Sequence, residues 1–420
     1  MYTTNTFKDI YATKNDIDWA LLESVQSIIK TVQQEGDQAL FDYSKQFDTV
    51  ELTDLEVPSS TLKEAYESID ADLRKALEEA KTNIETYQNS IKWKQGPSSE
   101  LYQKIHPLNR VGIYVPGGTA PLVSTVLMTT VLANVAGVKE TIIVTPPQAD
   151  GIQKAILAAC HIVEADHVYQ VGGAQAVAAL AYGTETIQKV DKIVGPGNQF
   201  VAMAKKLVYG DVGIDSIAGP SEIVVVVDES TRADWVAYDI LAQAEHDIQA
   251  RTFLISESQE KIEEILAEVE KKAPLQSRAA IIAESLKQHH YSVHTASKEE
   301  TIEVVNLIAG EHISIQTNDA ESYVDLITTA GAIFIGDRSP EAIGDYVAGP
   351  SHVLPTGGNA RFSNGLSVND FLRTNSVIHL SQATFEEMAP SGVRLAEEEA
   401  LQAHRDSLYY RLEDNLNDQN

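Results

Sequence analysis

The chain has 420 residues, a length that suggests two to three domains of roughly 150 residues each and a core that needs no cross-links. Lysine and arginine number 32 against 61 acids, a net charge of −29 that disfavours phosphate backbones and anionic lipid as partners. With 43% hydrophobic and 22% charged residues the balance is globular, and one cysteine, Cys160, leaves no intrachain disulfide, which suits a reducing cytoplasm.

The first ten residues lack the basic and apolar regions of a secretory signal. Ile17–Tyr43 and Leu62–Trp93 space apolar residues at helical intervals, separated by a proline-containing break over Asp54–Ser60. From residue 111 the texture changes. Val111–Val115, Thr141–Thr145, His167–Val171, Lys192–Val194 and Glu222–Val227 read as strands, with helices predicted over Ala120–Ala136, Ile152–Val163, Ala174–Tyr182 and Gln199–Val208. The uncharged stretch Pro116–Val138 is long enough to span a bilayer. Its Pro-Gly-Gly start and its serine, threonines and asparagine favour a turn and a helix buried beside a sheet, so no membrane partner is expected.

A second series follows. A helix is predicted over Asp234–His246, a strand over Thr252–Ser256, and helices over Gln259–Lys272 and Ile302–Leu307. Strands Ile313–Ile315 and Ala332–Ile335 flank a helix predicted over Ala320–Thr329, and an acid-rich helical tail runs from Phe385 to Leu412. Strand and helix alternating at this spacing predict α/β: two Rossmann-like, incomplete parallel-sheet lobes with a helical N-terminal region and an extended helical C-terminal tail. The expected divisions are 1–110 for the helical region, packing with the second lobe, then 111–220 for a glycine-rich lobe, 221–366 for the second lobe, and 367–420 for the tail.

Glycine concentrates after the strands, in Pro116-Gly117-Gly118, Gly172-Gly173-Ala174-Gln175 and Gly195-Pro196-Gly197-Asn198. Glycines let a backbone approach a ligand and present amide groups at the next helix, so a nucleotide crevice at the strands' carboxyl ends is expected. No complete GxGxxG is present, and these turns alone leave the cofactor open. Nitrogen and oxygen donors cluster later: Gln243 and His246 three apart on a helix, Glu311 beside His312, Asp345, and His352 in a Gly-Pro-Ser loop. Such donors suit zinc or another borderline divalent metal, although no HExxH or CxxC spacing marks it. Taken singly, His246 is an ordinary helix residue, Glu311 a helix-end charge and His404 a surface residue. Cys160, on an apolar helix, reads as a core thiol rather than a nucleophile.

The ordered strings resemble one family. Arg110-Val-Gly-Ile-Tyr-Val-Pro-Gly-Gly118, Gly172-Gly-Ala-Gln-Ala176, Val194-Gly-Pro-Gly-Asn198 and Gly213-Ile-Asp-Ser-Ile-Ala-Gly-Pro-Ser-Glu222 are similar to histidinol dehydrogenase. So are Leu241-Ala-Gln-Ala-Glu-His-Asp247, Ala309-Gly-Glu-His312, Gly344-Asp-Tyr346, Gly349-Pro-Ser-His-Val-Leu-Pro-Thr356 and Glu399-Ala-Leu-Gln-Ala-His404. The resemblance implies oxidation of L-histidinol to L-histidine through L-histidinaldehyde, with two NAD⁺ reduced, as the last step of histidine biosynthesis. It implies one Zn²⁺ per subunit on Gln243, His246, Asp345 and His404, the last from the other subunit of a homodimer whose tail is exchanged. Glu311 and His312 would be the acid–base pair, His312 serving alcohol oxidation and Glu311 activating water. Tyr114, Gln175 and Asn198 would contact NAD⁺, and Ser221, His352 and Glu399 the substrate beside the metal ligands. The chain departs from the family's pattern at Ser216, Ile248 and Ala400. A zinc hydrolase using the same cluster, or a related NAD-linked amino-alcohol dehydrogenase, are the alternatives.

Overall fold

The computed structural model describes residues 1–11, 18–117, 122–217 and 219–417. They fall into two units, Met1–Lys92 with Pro107–Phe371, and Trp93–His106 with Leu372–Asn420.

The first unit holds two parallel sheets. One has the strand order His167–Gln170, Glu140–Thr145, Arg110–Tyr114, Lys192–Val194, Gly213–Ile214. The chain starts at Arg110–Tyr114, builds outward on one side, then crosses back to build on the other, so the order reverses between Arg110–Tyr114 and Lys192–Val194. The second sheet runs Tyr2–Thr3, His290–His294, Arg251–Ser256, Glu222–Val227, His312–Gln316, Ala332–Ile335, again all parallel. It reverses between Glu222–Val227 and His312–Gln316. The α/β class and the two parallel lobes are as the alternation predicted.

Glu222-Ile-Val-Val-Val-Val227 is buried at every position, as expected of a central parallel strand covered on both faces. One face packs Val224 and Val226 with Phe7, Phe253 and Ile308; the other packs Ile223 and Val225 with Val236, Ile240 and Ile265. Phe7 and the strand Tyr2–Thr3 thus belong to the second sheet, while Val25, Ile28 and Leu40 pack with Val177, Leu180 and Val201 on the first.

The uncharged stretch after Pro116 forms the helix Val123–Ala136, almost wholly buried; the predicted start at Ala120 and Pro121 lies outside the described residues. At 1.5 Å per residue it is about 21 Å long, short of a bilayer core of about 30 Å. No helix among the described residues is long and apolar enough to cross a membrane.

The helix predicted over Ala320–Thr329 is replaced by a short 3₁₀ turn, Ala320–Tyr323. Asn306 explains the difference: its Oδ1 accepts from the Thr328 amide at 2.9 Å, and its carbonyl accepts from the Thr329 hydroxyl at 2.9 Å. These bonds satisfy the segment's polar groups outside a helix. The strands Tyr2–Thr3, Leu101–Pro107, Gly213–Ile214, His290–His294 and Leu372–Ile378 carry too little apolar periodicity to have been read from the sequence.

In the second unit, Leu101–Pro107 pairs with Leu372–Ile378. The acidic tail is two helices, Gln382–Glu398 and Gln402–Asn417. The break is a Schellman turn in which the Leu401 amide bonds the Ala396 carbonyl at 2.9 Å and Ala400 has φ +56°. A Cβ in this left-handed region is strained. Ala400→Gly is expected to stabilise the fold by roughly 0.5–1 kcal/mol, the relieved strain being partly offset by a more flexible unfolded chain. An unchanged or lower denaturation midpoint would contradict this.

Asp239, on the helix Ala233–Ala244, accepts from the Gln316 amide at 2.6 Å, and burial pushes its carboxyl up to about 6. The folded state therefore binds this proton more tightly than the unfolded chain, whose aspartates titrate near 3.9. The group's stabilising contribution is present below pH ~4 and lost as pH rises to about 6. Asp239→Asn keeps an acceptor for Gln316 and should gain about 1–2 kcal/mol at pH 8, after allowance for partial exposure, and nothing near pH 4. Denaturation curves at the two pH values check it; an equal effect at both would contradict the assignment.

Candidate active site

The predicted site residues of the second lobe lie at the amino ends of its strands, the opposite edge from the usual ligand position in open parallel sheets. Glu222 and His312 are the first residues of neighbouring strands at the chain reversal. The helix Ala233–Ala244 runs back from the far end of Glu222–Val227 and returns Gln243 to this edge, with His246 just beyond. After the strand Ala332–Ile335, the short helix Glu341–Tyr346 presents Glu341 and Asp345 one turn apart, on one face.

His312 is 4% exposed and its Nδ1 lies 3.0 Å from the Glu222 carbonyl oxygen. A carbonyl only accepts, so Nδ1 carries the hydrogen and Nε2 holds a free lone pair. Nε2 is buried without a hydrogen-bond partner among the described residues; Asp345 Oδ1 is 3.9 Å away. Burial pushes the ring's pKa down to about 3, against the bond to Glu222, so the imidazole is neutral. A neutral ring with an unused lone pair at Nε2 has the geometry of a proton acceptor, while burial lowers its basicity.

Glu311, 6% exposed, accepts from the Glu222 amide at 2.9 Å and sits 3.7 Å from His312 Nδ1. Burial, then the charges of Glu222 and Asp345, hold its carboxyl well above the usual range, opposed by the Glu222 amide and the Ser221 hydroxyl. Glu222 is itself buried. It accepts from Arg251 at 3.2 Å and the Gly357 amide at 3.0 Å, anchoring the strand end from which Glu311 and His312 are oriented. In the sequence Glu222 stood as an acid heading an apolar run and as the last residue of the Gly213–Glu222 string, with no role assigned.

His246, Glu341 and Asp345 bring ligand-capable atoms within 4.8 Å of one another. Burial raises the Asp345 carboxyl to about 6. Gln243 lies against Glu341, with its amide nitrogen assigned toward the two carboxylate oxygens at 3.0 and 3.3 Å. Glu341 was not anticipated, although its spacing from Asp345 was the available signal. An imidazole nitrogen and two carboxylates converging here, with Gln243 beside them, fit a borderline divalent ion such as zinc.

His352 faces this cluster from its loop. Its Nδ1 donates to the Asp345 carbonyl at 3.2 Å, so its Nε2 accepts from the Thr125 hydroxyl at 3.1 Å. Thr125 is near the start of the helix that leaves the carboxyl end of Arg110–Tyr114. The carboxyl edge of the first sheet therefore meets the amino edge of the second.

On that carboxyl edge, Tyr114 ends its strand beside the order reversal. Gly195 has φ +110° there, and a Cβ on it would lie 2.1 Å from the Tyr114 carbonyl oxygen, so only glycine fits the turn. The Gly173 amide donates to the Tyr114 hydroxyl at 3.1 Å, and burial raises that phenol to about 12. Gln175 is buried in the first turn of Gly173–Tyr182. Asn198 Oδ1 caps Gln199–Val208, accepting from the Phe200 and Val201 amides at 3.0 and 3.2 Å. Asp215 accepts from the Gly195 amide at 2.7 Å and pairs with buried Lys205, which donates to the Gly195 carbonyl at 3.0 Å. Two helix starts and a braced glycine turn at a chain reversal fit a dinucleotide.

Ser221, Gln243, His246, Glu311, His312, Asp345 and His352 thus converge, with Tyr114, Gln175 and Asn198 on the first sheet. Glu399 and His404 belong to the second unit, both exposed. Cys160 is 0% exposed on Lys154–Ile162, and burial raises its thiol to about 12. Cys160→Ala is expected to leave turnover within about threefold of wild type, and the native thiol should resist disulfide reagents until unfolding. Rapid native labelling coupled to inactivation would reverse this reading.

A family model described as histidinol dehydrogenase matches residues 12–412. Histidinol dehydrogenase of Staphylococcus epidermidis is 52% identical over 98% of this chain and 100% of its own. That of Staphylococcus aureus strain COL is 48% identical over 98% and 99%. The crystal structure of histidinol dehydrogenase from Elizabethkingia anophelis superposes with a TM-score of 0.93 at 34% identity, covering 98% of this chain and 96% of that one. An acetylating aldehyde dehydrogenase from Geobacillus thermoglucosidasius shares the fold alone, at TM-score 0.51 and 16% identity over 88% and 99%. The chain belongs to the histidinol dehydrogenase family.

Proposed function

We propose that this protein oxidises L-histidinol to L-histidine through L-histidinaldehyde, reducing two NAD⁺ and consuming one water, as the last step of histidine biosynthesis in the cytoplasm. The observation that carries the reading is the junction at His352 and Thr125. It brings a crevice suited to a dinucleotide beside a metal-capable cluster holding His312 Nε2, a base without a partner among the described residues. The relatives' names supply the substrate.

Gln243, His246 and Asp345 would hold one zinc, with His404 of the partner subunit completing the set in a homodimer. Tyr114, Gln175 and Asn198 would line the nucleotide site; Ser221, His352 and Glu399 would contact substrate alongside the metal ligands. When bound, zinc would supply a fixed point for the amino alcohol and NAD⁺ an acceptor for hydride. His312 Nε2 takes the hydroxyl proton as the carbinol carbon is oxidised, its tautomer held by the Glu222 carbonyl. Glu311 then removes a proton from the water that adds to the aldehyde. The carboxylate makes a thiol adduct unnecessary, consistent with the buried Cys160.

The test is NADH formed per L-histidinol consumed, run to completion with zinc-loaded protein. Two per substrate is expected. One would limit the enzyme to alcohol oxidation; none, with folded metal-bound protein, would favour a hydrolase or a different amino alcohol.

A further inference from the structure

Only the oxygen of a glutamine amide offers a lone pair to a cation, so a ligating glutamine needs its nitrogen held elsewhere. Gln243 is 0% exposed and faces three acceptors: both oxygens of Glu341, at 3.0 and 3.3 Å, and the Glu222 carbonyl, at 3.3 Å. With the nitrogen toward them all three contacts are hydrogen bonds. With the oxygen toward them all three are repulsive and buried, where an unmet polar group is most costly. Glu341 is 2% exposed, so water cannot substitute for it.

Resting on the metal assignment just made, we propose that Glu341 is a positioning residue that pins the Gln243 amide nitrogen and so turns the amide oxygen toward the metal. One short helix then sets two parts of the site, since Asp345 lies a single turn beyond Glu341. Glu341 acts through Gln243, although its carboxylate also lies within the 4.8 Å grouping with His246 and Asp345. Direct ligation by Glu341 is the competing outcome.

The experiment is a double-mutant cycle on metal affinity. Gln243→Glu, Glu341→Gln and the exchanged pair are titrated with Zn²⁺ and Co²⁺ against a chromophoric chelator, and the visible spectrum of the cobalt forms is recorded. Glu341→Gln is expected to weaken binding about 10- to 100-fold and alter the cobalt spectrum, as loss of an outer hydrogen-bond partner does. Gln243→Glu should also weaken binding, because two carboxylates then abut. The exchanged pair restores an amide-to-carboxylate bond and should return to within about threefold of wild type. Wild-type affinity in Glu341→Gln, or losses that multiply in the exchanged pair, would overturn the pinning role and, in the second case, make Glu341 a ligand. If Glu341→Gln does not fold, Gln243→Glu against the exchanged pair decides the matter alone. Gln243→Ala is measured in parallel: unchanged zinc affinity there would remove the ligand assignment itself, a failure distinct from that of the pinning.

Discussion

Glu311→Gln is expected to release L-histidinaldehyde. The substitution keeps the volume and an acceptor for the Glu222 amide, now 2.9 Å from the carboxylate, but cannot take a proton from water. Acid formation should fall by about 10²–10⁴, the usual contribution of a positioned base, while oxidation of the alcohol stays within roughly tenfold of wild type. The yield drops from two NADH toward one per histidinol, with aldehyde recovered by a carbonyl trap. Equal loss of both half-reactions would count against dividing the labour between the two residues. Supplying L-histidinaldehyde directly provides a second reading, since the variant should then produce almost no NADH.

His312→Asn should cost more. Asparagine places its amide nitrogen near the position of Nδ1 and retains a donor for the Glu222 carbonyl, so the local frame survives while the Nε2 lone pair is lost. Turnover of the alcohol is expected to fall about 10²–10⁴, with zinc affinity unchanged because His312 is not in the proposed ligand set. His312→Gln, whose amide reaches the Nε2 position, should be equally slow; this separates loss of basicity from loss of shape. Zinc loss in His312→Asn would recast the residue as a ligand. Wild-type turnover would transfer the base to another group, for which His352 is poorly placed because both its nitrogens are engaged.

The two lobes were legible because a parallel strand buried on both faces must be an uninterrupted apolar run, as in Glu222–Val227. Short edge strands such as Tyr2–Thr3 were not. Two residues carry no period, and their pairing is set by His290–His294, a segment far along the same chain. The helix expected over Ala320–Thr329 failed for a related reason: its competitor is a side chain, Asn306, reached only through tertiary packing.

Residue identity and order by themselves determined the family, the chemistry available to each side chain, and the poor prospects of Cys160 as a nucleophile. The family follows from the resemblance of ordered strings, and the rest from residue type and local pattern. The tertiary structure decided which tautomer His312 adopts, that Glu222 anchors it and that Glu341 joins Gln243. It also placed the cluster at the amino edge of the second sheet, against the carboxyl edge of the first. Each of these depends on groups distant in sequence meeting where water is excluded, and in that setting an unpaired carbonyl or carboxylate selects the hydrogen it faces.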